Sequence, residues 1–181
     1  MVDLGFATLG GLLLLALLWW WAKSNGSAER ASRPRALARA ELVYLERTFR
    51  ISEPFQLVAK VDRAYRLPRG SLVLVELKTR RQSRPYLSDI IQLSAQRLAI
   101  EGQTGEAVES YAFVSIPAAG RRGGFRSHRV QLLDAETIVR IHARREAILA
   151  GLDAPTYALS ERACVGCALR SKCDRVGRGG R

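Results

Sequence analysis

The spacing of hydrophobic residues changes several times along this chain, and each change outlines an element of secondary structure. Residues 35–49 combine helical spacing of apolar positions with good helix formers, which predicts a helix. Residues 57–66 alternate in part, and residues 71–79 form a short run rich in Val and Leu. These two patterns predict two strands, the second covered on both faces. The apolar positions of the predicted helix are Leu37, Leu42, Leu45 and Phe49.

The second half of the chain continues with helices and strands. Residues 85–101 predict an amphipathic helix with a proline near its start. Residues 107–116 and 125–133 predict two more strands, and Asp134 is the expected cap of a final helix that runs to about residue 150. This order predicts an α/β fold with a mixed sheet flanked by helices. The apolar stripe of the middle helix, and the glycines expected to end it, are Leu87, Ile90, Ile91, Ser94, Ala95, Leu98, Ala99, Gly102 and Gly105.

The N-terminal segment is apolar enough to cross a membrane. Residues 4–22 carry no charge and would span roughly 28 Å as a helix, close to the thickness of a bilayer core. Asp3 and the absence of Lys or Arg before the run favour one transmembrane helix over the alternative, a cleaved signal peptide. Residues 23–34 predict a flexible basic linker. Basic residues after the run place the following domain on the cytoplasmic side of the inner membrane, namely Lys23, Arg30, Arg33, Arg35 and Arg39.

The whole chain is strongly basic. It has 29 Lys and Arg against 17 Asp and Glu, a formal net charge of +12. This balance predicts a polyanionic partner, either nucleic acid or an acidic lipid surface. Residues 175–181 predict a disordered basic tail. The arginines expected to contact phosphates, or else to form a solvated face, are Arg80, Arg81, Arg84, Arg121, Arg122, Arg126 and Arg129.

Three charged residues stand out on the two central strands. Glu76 and Lys78 are two positions apart and therefore project from the same face of a strand that is otherwise apolar. Asp62 precedes Glu76 across the turn at residues 69–70, so a hairpin would bring the two carboxylates together. Buried charges are costly unless they are paired or bind a metal. The alternative is a surface pair of Glu76 and Lys78 on an edge strand, with Asp62 an ordinary residue at a strand end.

The functional interpretation of these residues is phosphodiester hydrolysis. The carboxylates of Asp62 and Glu76, with the main-chain carbonyl of Leu77, would offer Mg²⁺ or Mn²⁺ the hard oxygen ligands it prefers. Lys78 would lie beside the attacking water and stabilise negative charge on the phosphate.

These motifs resemble the RecB-type branch of the PD-(D/E)XK nucleases. The similar stretches are VDRAYR, LVLVELKTR and DIIQLSAQRLAIEG, and with Pro155 and CVGCALRSKC the chain looks most like the CRISPR-associated RecB-like exonucleases over residues 38–174. The resemblance implies a restriction-endonuclease-like nuclease domain at residues 35–152 and Gln92 as the glutamine of the Q-x3-Y motif. Gln96 replaces the motif tyrosine, and residues 35–49 lack the histidine that relatives carry.

These features predict a membrane-anchored, metal-dependent deoxyribonuclease, an exonuclease on single-stranded DNA ends. The alternative is a weak or inactive nuclease fold that tethers DNA at the membrane. For the missing histidine ligand, Glu41 or Glu46 are possible substitutes, or else lie on a solvated face.

The cysteines are confined to the C-terminal region. Cys164, Cys167 and Cys173 follow a C-x2-C-x5-C pattern, and no cysteine precedes them. An odd, closely spaced set does not make a disulfide framework and indicates a reducing compartment. The resemblance implies a [4Fe-4S] cluster at residues 153–174 with an unknown fourth ligand, packed on the domain. The alternatives are plain thiols, a [3Fe-4S] cluster, or zinc completed by one of His128, His142 and Asp174.

Overall fold

The structure is a computed structural model that describes residues 29–30, 32–80, 82–118, 124–156, 164–165, 167 and 170. The chain divides into two compact units, one ending at Val139 and the other beginning at Arg140. The first unit contains a five-stranded sheet in which the strands follow one another in chain order. The strands are β1 (Glu41–Ile51), β2 (Leu57–Arg66), β3 (Leu72–Leu77), β4 (Tyr111–Pro117) and β5 (Phe125–Gln131).

The sheet is mixed, as predicted. Strands β1, β2 and β3 form an antiparallel meander, β4 lies parallel to β3, and β5 returns antiparallel to β4. The parallel step requires a crossover, which helix α1 (Leu87–Thr104) provides. The C-terminal ends of β3 and β4 therefore lie at the same edge of the sheet. A second helix, α2 (Ala135–Leu149), follows β5 and begins after Asp134, whose carboxylate accepts a hydrogen bond from the Thr137 amide at 2.7 Å.

The helix predicted at residues 35–49 is wrong. Only residues 35–37 form a turn of 3-10 helix, and β1 begins at Glu41. Phe49 is fully buried whereas Leu45 is 55% exposed, so the apparent helical stripe does not face one core. The sequence of β1 contains the β-branched residues Val43, Thr48 and Ile51, which favour a pleated strand. An irregularity between Leu42 and Tyr44 shifts its register and obscures the alternation that would have revealed it.

Each face of the sheet has its own hydrophobic cluster. On one face, Leu72 and Leu74 of β3 pack with Leu93 and Ile100 of α1. On the other, Val73 and Val75 belong to a cluster that includes Leu37 from the segment before β1. Because β3 is covered on both sides, all of its residues from Leu72 to Glu76 are buried, as its apolar run predicts.

Two glycines set the length and position of α1. Gly102 lies inside the helix, where an added Cβ would approach the Ile51 side chain to 3.0 Å, so it allows α1 to pack close to β1. Gly105 has φ of 72° and ends the helix with its amide donating to Glu101. The prediction that both glycines end the helix is therefore correct only for Gly105.

The segment before β1 contacts the face of the sheet opposite to α1. Glu29 accepts hydrogen bonds from Arg33 and from the Tyr65 hydroxyl, and Arg63 donates to Ser32 at 2.6 Å. These contacts involve the last residues of the predicted linker. Among the described residues, no helix is long and apolar enough to cross a membrane. The predicted transmembrane segment at residues 4–22 and the predicted tail at residues 175–181 lie outside the described residues.

Candidate active site

Asp62 lies where β2 and β3 separate. The register between these strands ends with the pair Arg63 and Val75, and the next position would set Asp62 opposite Glu76. Beyond that pair, the Leu77 amide donates to the Asp62 carboxylate at 2.8 Å. A hydrogen bond to the Asp62 side chain thus joins the two strands at the point where their main-chain pairing ends. This geometry holds its carboxylate beside β3 while one oxygen stays without a hydrogen bond from the described residues.

Glu76 is more deeply buried than Asp62. It is only 4% exposed, and three donors hold its two oxygens. Lys78 and Gln92 each donate to Oε1 at 2.8 Å, and Gln96 donates to Oε2 at 3.0 Å. Since a carboxylate can accept about four hydrogen bonds, roughly one position on Oε2 stays available. The strand and α1 together fix the direction in which this carboxylate points.

Lys78 and Gln92 complete this arrangement. The Lys78 ammonium donates to the Gln92 carbonyl oxygen at 2.9 Å as well as to Glu76. Gln92 therefore contacts both the ammonium of Lys78 and the carboxylate of Glu76. The Lys78 amide donates to Ser115 on β4, which keeps the chain aligned beyond the end of β3. The structure therefore brings Asp62, Glu76, Lys78 and Gln92 together, although their roles stay a prediction.

Two buried side chains on α1 were not among the predicted site residues. Gln96 is 2% exposed and donates to the Lys60 carbonyl at 2.8 Å as well as to Glu76, so it fills the place of the motif tyrosine as a polar support. Asp89 is 3% exposed, and its Oδ1 lies 3.7 Å from the Lys78 ammonium. Helical spacing could have found both, because Asp89, Gln92 and Gln96 recur at three and four residues.

Asp89 connects the start of α1 to the chain that leaves β3. It accepts two hydrogen bonds from Arg80, at 3.0 and 2.5 Å, and one from the Tyr86 amide at 2.8 Å. Burial alone would raise the pKa of Asp89, but the bonds from Arg80 and Tyr86 outweigh it and hold the pKa below its usual range. Asp89 is therefore a negative charge close to Lys78, supported by an ion pair of its own.

The two negative charges of Asp62 and Glu76 exceed the single positive charge that Lys78 brings to them. Burial raises the pKa of Asp62 despite the bond from Leu77, and the charges of Glu76 and Glu46 raise it further. Glu46 lies on β1 between the two residues whose partners flank Asp62 on β2, and it has a φ of 50°. Hard oxygen donors with excess negative charge suit a divalent cation. Asp62 and Glu76 thus fit such a site by their chemistry, and the Leu77 carbonyl as a third ligand stays a prediction. Within the described residues, no group of three or more His, Cys, Asp or Glu side chains forms a metal site.

Comparison with protein families gives a match over residues 12–174, to the model described as the PD-(D/E)XK nuclease superfamily. The chain belongs to this superfamily. Members of the PD-(D/E)XK superfamily are phosphodiester-hydrolysing enzymes that usually use Mg²⁺ or Mn²⁺. The predicted D-x13-E-x-K residues lie on and just after the β2–β3 hairpin of this chain.

Two solved structures are distantly similar to this PD-(D/E)XK chain. The crystal structure of SSO0001 has a TM-score of 0.47 and 15% identity, and the match covers 95% of this chain and 71% of that one. A protein from Eubacterium rectale named "Putative exonuclease" has a TM-score of 0.49 and 13% identity, with 80% of this chain and 57% of that one covered. This chain therefore spans little more than half the length of the second protein. No curated protein matches the sequence.

The cysteine site stays a prediction. Cys164 is half-buried and Cys167 is exposed, both as free thiols, and the Cys167 amide donates to the Cys164 carbonyl at 3.3 Å. Cys173 and Asp174 lie outside the described residues. Of the histidines considered as zinc ligands, His128 lies 3.3 Å from the Ser83 hydroxyl.

Proposed function

We propose that this protein is a metal-dependent deoxyribonuclease that degrades single-stranded DNA from its ends. The observation that carries the proposal is the juxtaposition of Asp62 and Glu76 where β2 and β3 separate, with the Lys78 ammonium 2.8 Å from Glu76. The resemblance to CRISPR-associated RecB-like exonucleases supports the choice of DNA ends as substrate. The uncharged run at residues 4–22 supports an anchor that holds the enzyme at the cytoplasmic membrane.

The proposed mechanism assigns a separate task to each side chain. Asp62, Glu76 and the Leu77 carbonyl would hold Mg²⁺ or Mn²⁺, which when bound makes a water nucleophilic at neutral pH and neutralises charge on the phosphate. Lys78 stabilises the negative charge that develops on the phosphate oxygens during attack. Gln92 holds Lys78 and Glu76 at fixed distances, so little reorganisation is needed when substrate binds.

A second candidate function is DNA binding without hydrolysis. It is favoured by the hydrogen bonds that Glu76 already accepts, because Lys78, Gln92 and Gln96 occupy three of its roughly four acceptor positions and leave little room for a cation. A protein of this kind would bind DNA equally well with and without a divalent cation.

A hydrolysis assay tests the proposal. The full chain in detergent is incubated with single-stranded and double-stranded DNA labelled at one end, with Mn²⁺ or with EDTA. We expect single mononucleotides to be released from single strands in Mn²⁺ alone, and an Asp62→Asn variant to release none. Binding without cleavage by the wild type would favour the second function, and internal cleavage would contradict an exonuclease.

The predicted iron–sulfur cluster requires its own test, because it is not needed for the hydrolytic step. Anaerobic purification of the full chain should give a brown protein that contains iron and acid-labile sulfide. A Cys167→Ser variant should lose both. A colourless wild-type protein without iron would contradict the cluster, and stoichiometric zinc would favour the alternative site.

A further inference from the structure

A basic cleft lies on the side of the sheet opposite to α1. It has a volume of about 600 Å³ and is lined by residues of the segment before β1, of β4 and of the start of β5. Phe113 forms part of its lining and belongs to the same cluster as Val73 and Val75, whereas Glu76 contacts α1 on the other face. We name it the arginine cleft, after Arg30, Arg33, Arg35 and Arg126 in its lining.

Three of these arginines have no charged partner among the residues that the structure describes. Arg33 is paired with Glu29 through two contacts of 2.8 Å. By contrast, the exposed side chains of Arg30, Arg35 and Arg126 form no hydrogen bond or ion pair with the described residues. No described acidic residue lines the cleft. Guanidinium groups that line one cleft without a counter-charge favour an anion, and their planar donors match phosphate oxygens.

The cleft also offers an aromatic surface. Phe125, at the start of β5, is 40% exposed although its ring is fully apolar. Exposed aromatic rings beside a positive groove provide stacking platforms for the bases of single-stranded nucleic acid. The volume of the cleft falls within the range of sites that hold a small ligand, which suits a nucleotide unit. Arginines that suit phosphates and an aromatic ring that suits a base together indicate a nucleic acid better than either feature alone.

The register of the sheet relates the cleft to the candidate active site. Ser127, which lines the cleft, pairs with Ser115 on β4, and Ser115 pairs with Leu77 on β3. Two strand spacings, roughly 10 Å, therefore separate Ser127 from the residue between Glu76 and Lys78. One extended strand of nucleic acid is long enough to contact the cleft and to reach the edge where Glu76 lies.

We propose that the arginine cleft is a second binding site for single-stranded nucleic acid, which holds the strand outside the active site. Arg30, Arg35 and Arg126 contact backbone phosphates, and Phe125 stacks on a base. The inference rests on the proposed function in taking the polyanion to be the strand that the nuclease cleaves. Binding here does not require a divalent cation, because arginines provide the charge.

The test measures binding without hydrolysis. The full chain in detergent and EDTA is titrated against fluorescein-labelled oligothymidylate, and anisotropy gives the Kd at several salt concentrations. The cleft variant replaces Arg30, Arg35 and Arg126 by Gln. The control variant replaces Arg50, Arg69 and Arg145, three exposed arginines outside the cleft, so that both variants have a formal net charge of +9, which is 12 minus 3.

We expect the cleft variant to lose about 2 from the slope of log Kd against log salt, since each contact to a single-strand phosphate contributes about 0.7. At 0.1 M salt this corresponds to weakening on the order of a hundredfold, whereas the control should change the slope by less than half as much. Phe125→Ala should weaken binding of oligothymidylate roughly tenfold but leave binding of an abasic oligomer unchanged.

Several results would overturn the inference. Equal losses in the cleft and control variants would show only the effect of net charge. The cleft would be assigned to lipid headgroups by a different pair of results. Phosphatidylglycerol vesicles would bind in a way that depends on Arg30, Arg35 and Arg126, and replacement of these arginines would leave oligothymidylate binding unaffected. The result is independent of catalysis, because a protein that never cleaves DNA can still show the expected loss of binding.

Discussion

Replacement of Gln96 by Met removes a support of Glu76 while nearly preserving side-chain volume. The Gln96 amide donates to the Glu76 carboxylate at 3.0 Å and to the Lys60 carbonyl at 2.8 Å. Gln96 itself is 2% exposed, so water cannot easily replace either bond. Among the described residues, Glu76 would retain donors on Oε1 alone, from Lys78 and Gln92.

The expected cost follows from these two bonds. A hydrogen bond to a charged acceptor contributes about 1.5–3 kcal/mol and one to a neutral acceptor about 0.5–1.5 kcal/mol, so the free energy of unfolding should fall by about 2–4.5 kcal/mol. The hydrolysis rate should fall by about 10- to 100-fold, as is typical when a residue that orients a metal ligand is removed.

Urea unfolding followed by circular dichroism measures the stability, and hydrolysis of end-labelled DNA measures the rate. Gln103→Met is the matched control on the same helix, because Gln103 is exposed and water can replace its bond to the Arg50 amide. If Gln96→Met and Gln103→Met agree to within about 0.5 kcal/mol and twofold in rate, Gln96 does not hold Glu76 as described.

Three further changes test other parts of the site. Glu46→Gly should stabilise the fold by about 0.5–1 kcal/mol in urea unfolding, because the residue has φ of 50° and its exposed ion pair with Lys60 contributes little. Asp89→Asn should cost about 2–3 kcal/mol at neutral pH by breaking the pair with Arg80. Because the folded pKa of Asp89 is lowered, that difference should be full above about pH 4 and shrink as the pH falls through the folded pKa. Saturating Mn²⁺ should raise the Tm of the wild type but not of Asp62→Asn, and equal shifts would place the cation elsewhere.

The central hairpin is the part of the fold that the sequence predicts best. The strand at residues 57–66 is observed as β2 with the same bounds, and the run at residues 71–79 contains β3. Local patterns suffice here because the apolar run of β3 is buried on both faces. Proximity of Asp62, Glu76 and Lys78 also follows from strand periodicity and a tight turn, both of which are local properties.

The prediction fails where tertiary contacts override local pattern. Residues 41–51 contain good helix formers, but pairing with β2 and burial of Phe49 against the sheet favour a strand. The role of Gln96 as a support could not be deduced from its difference from tyrosine alone, because its partners Glu76 and Lys60 lie on other elements. Asp89 was missed because a buried acid near a helix start resembles an ordinary capping residue.

The most direct test of the central claim is the single-turnover rate of hydrolysis by Lys78→Met, with DNA saturating and Mn²⁺ present. The account predicts a rate at least about 100-fold below that of the wild type, because Lys78 stabilises charge only as the phosphate is attacked, with the Kd for DNA changed by less than about threefold. A variant that cleaves at the wild-type rate would contradict the assignment of Asp62, Glu76 and Lys78 as the active site.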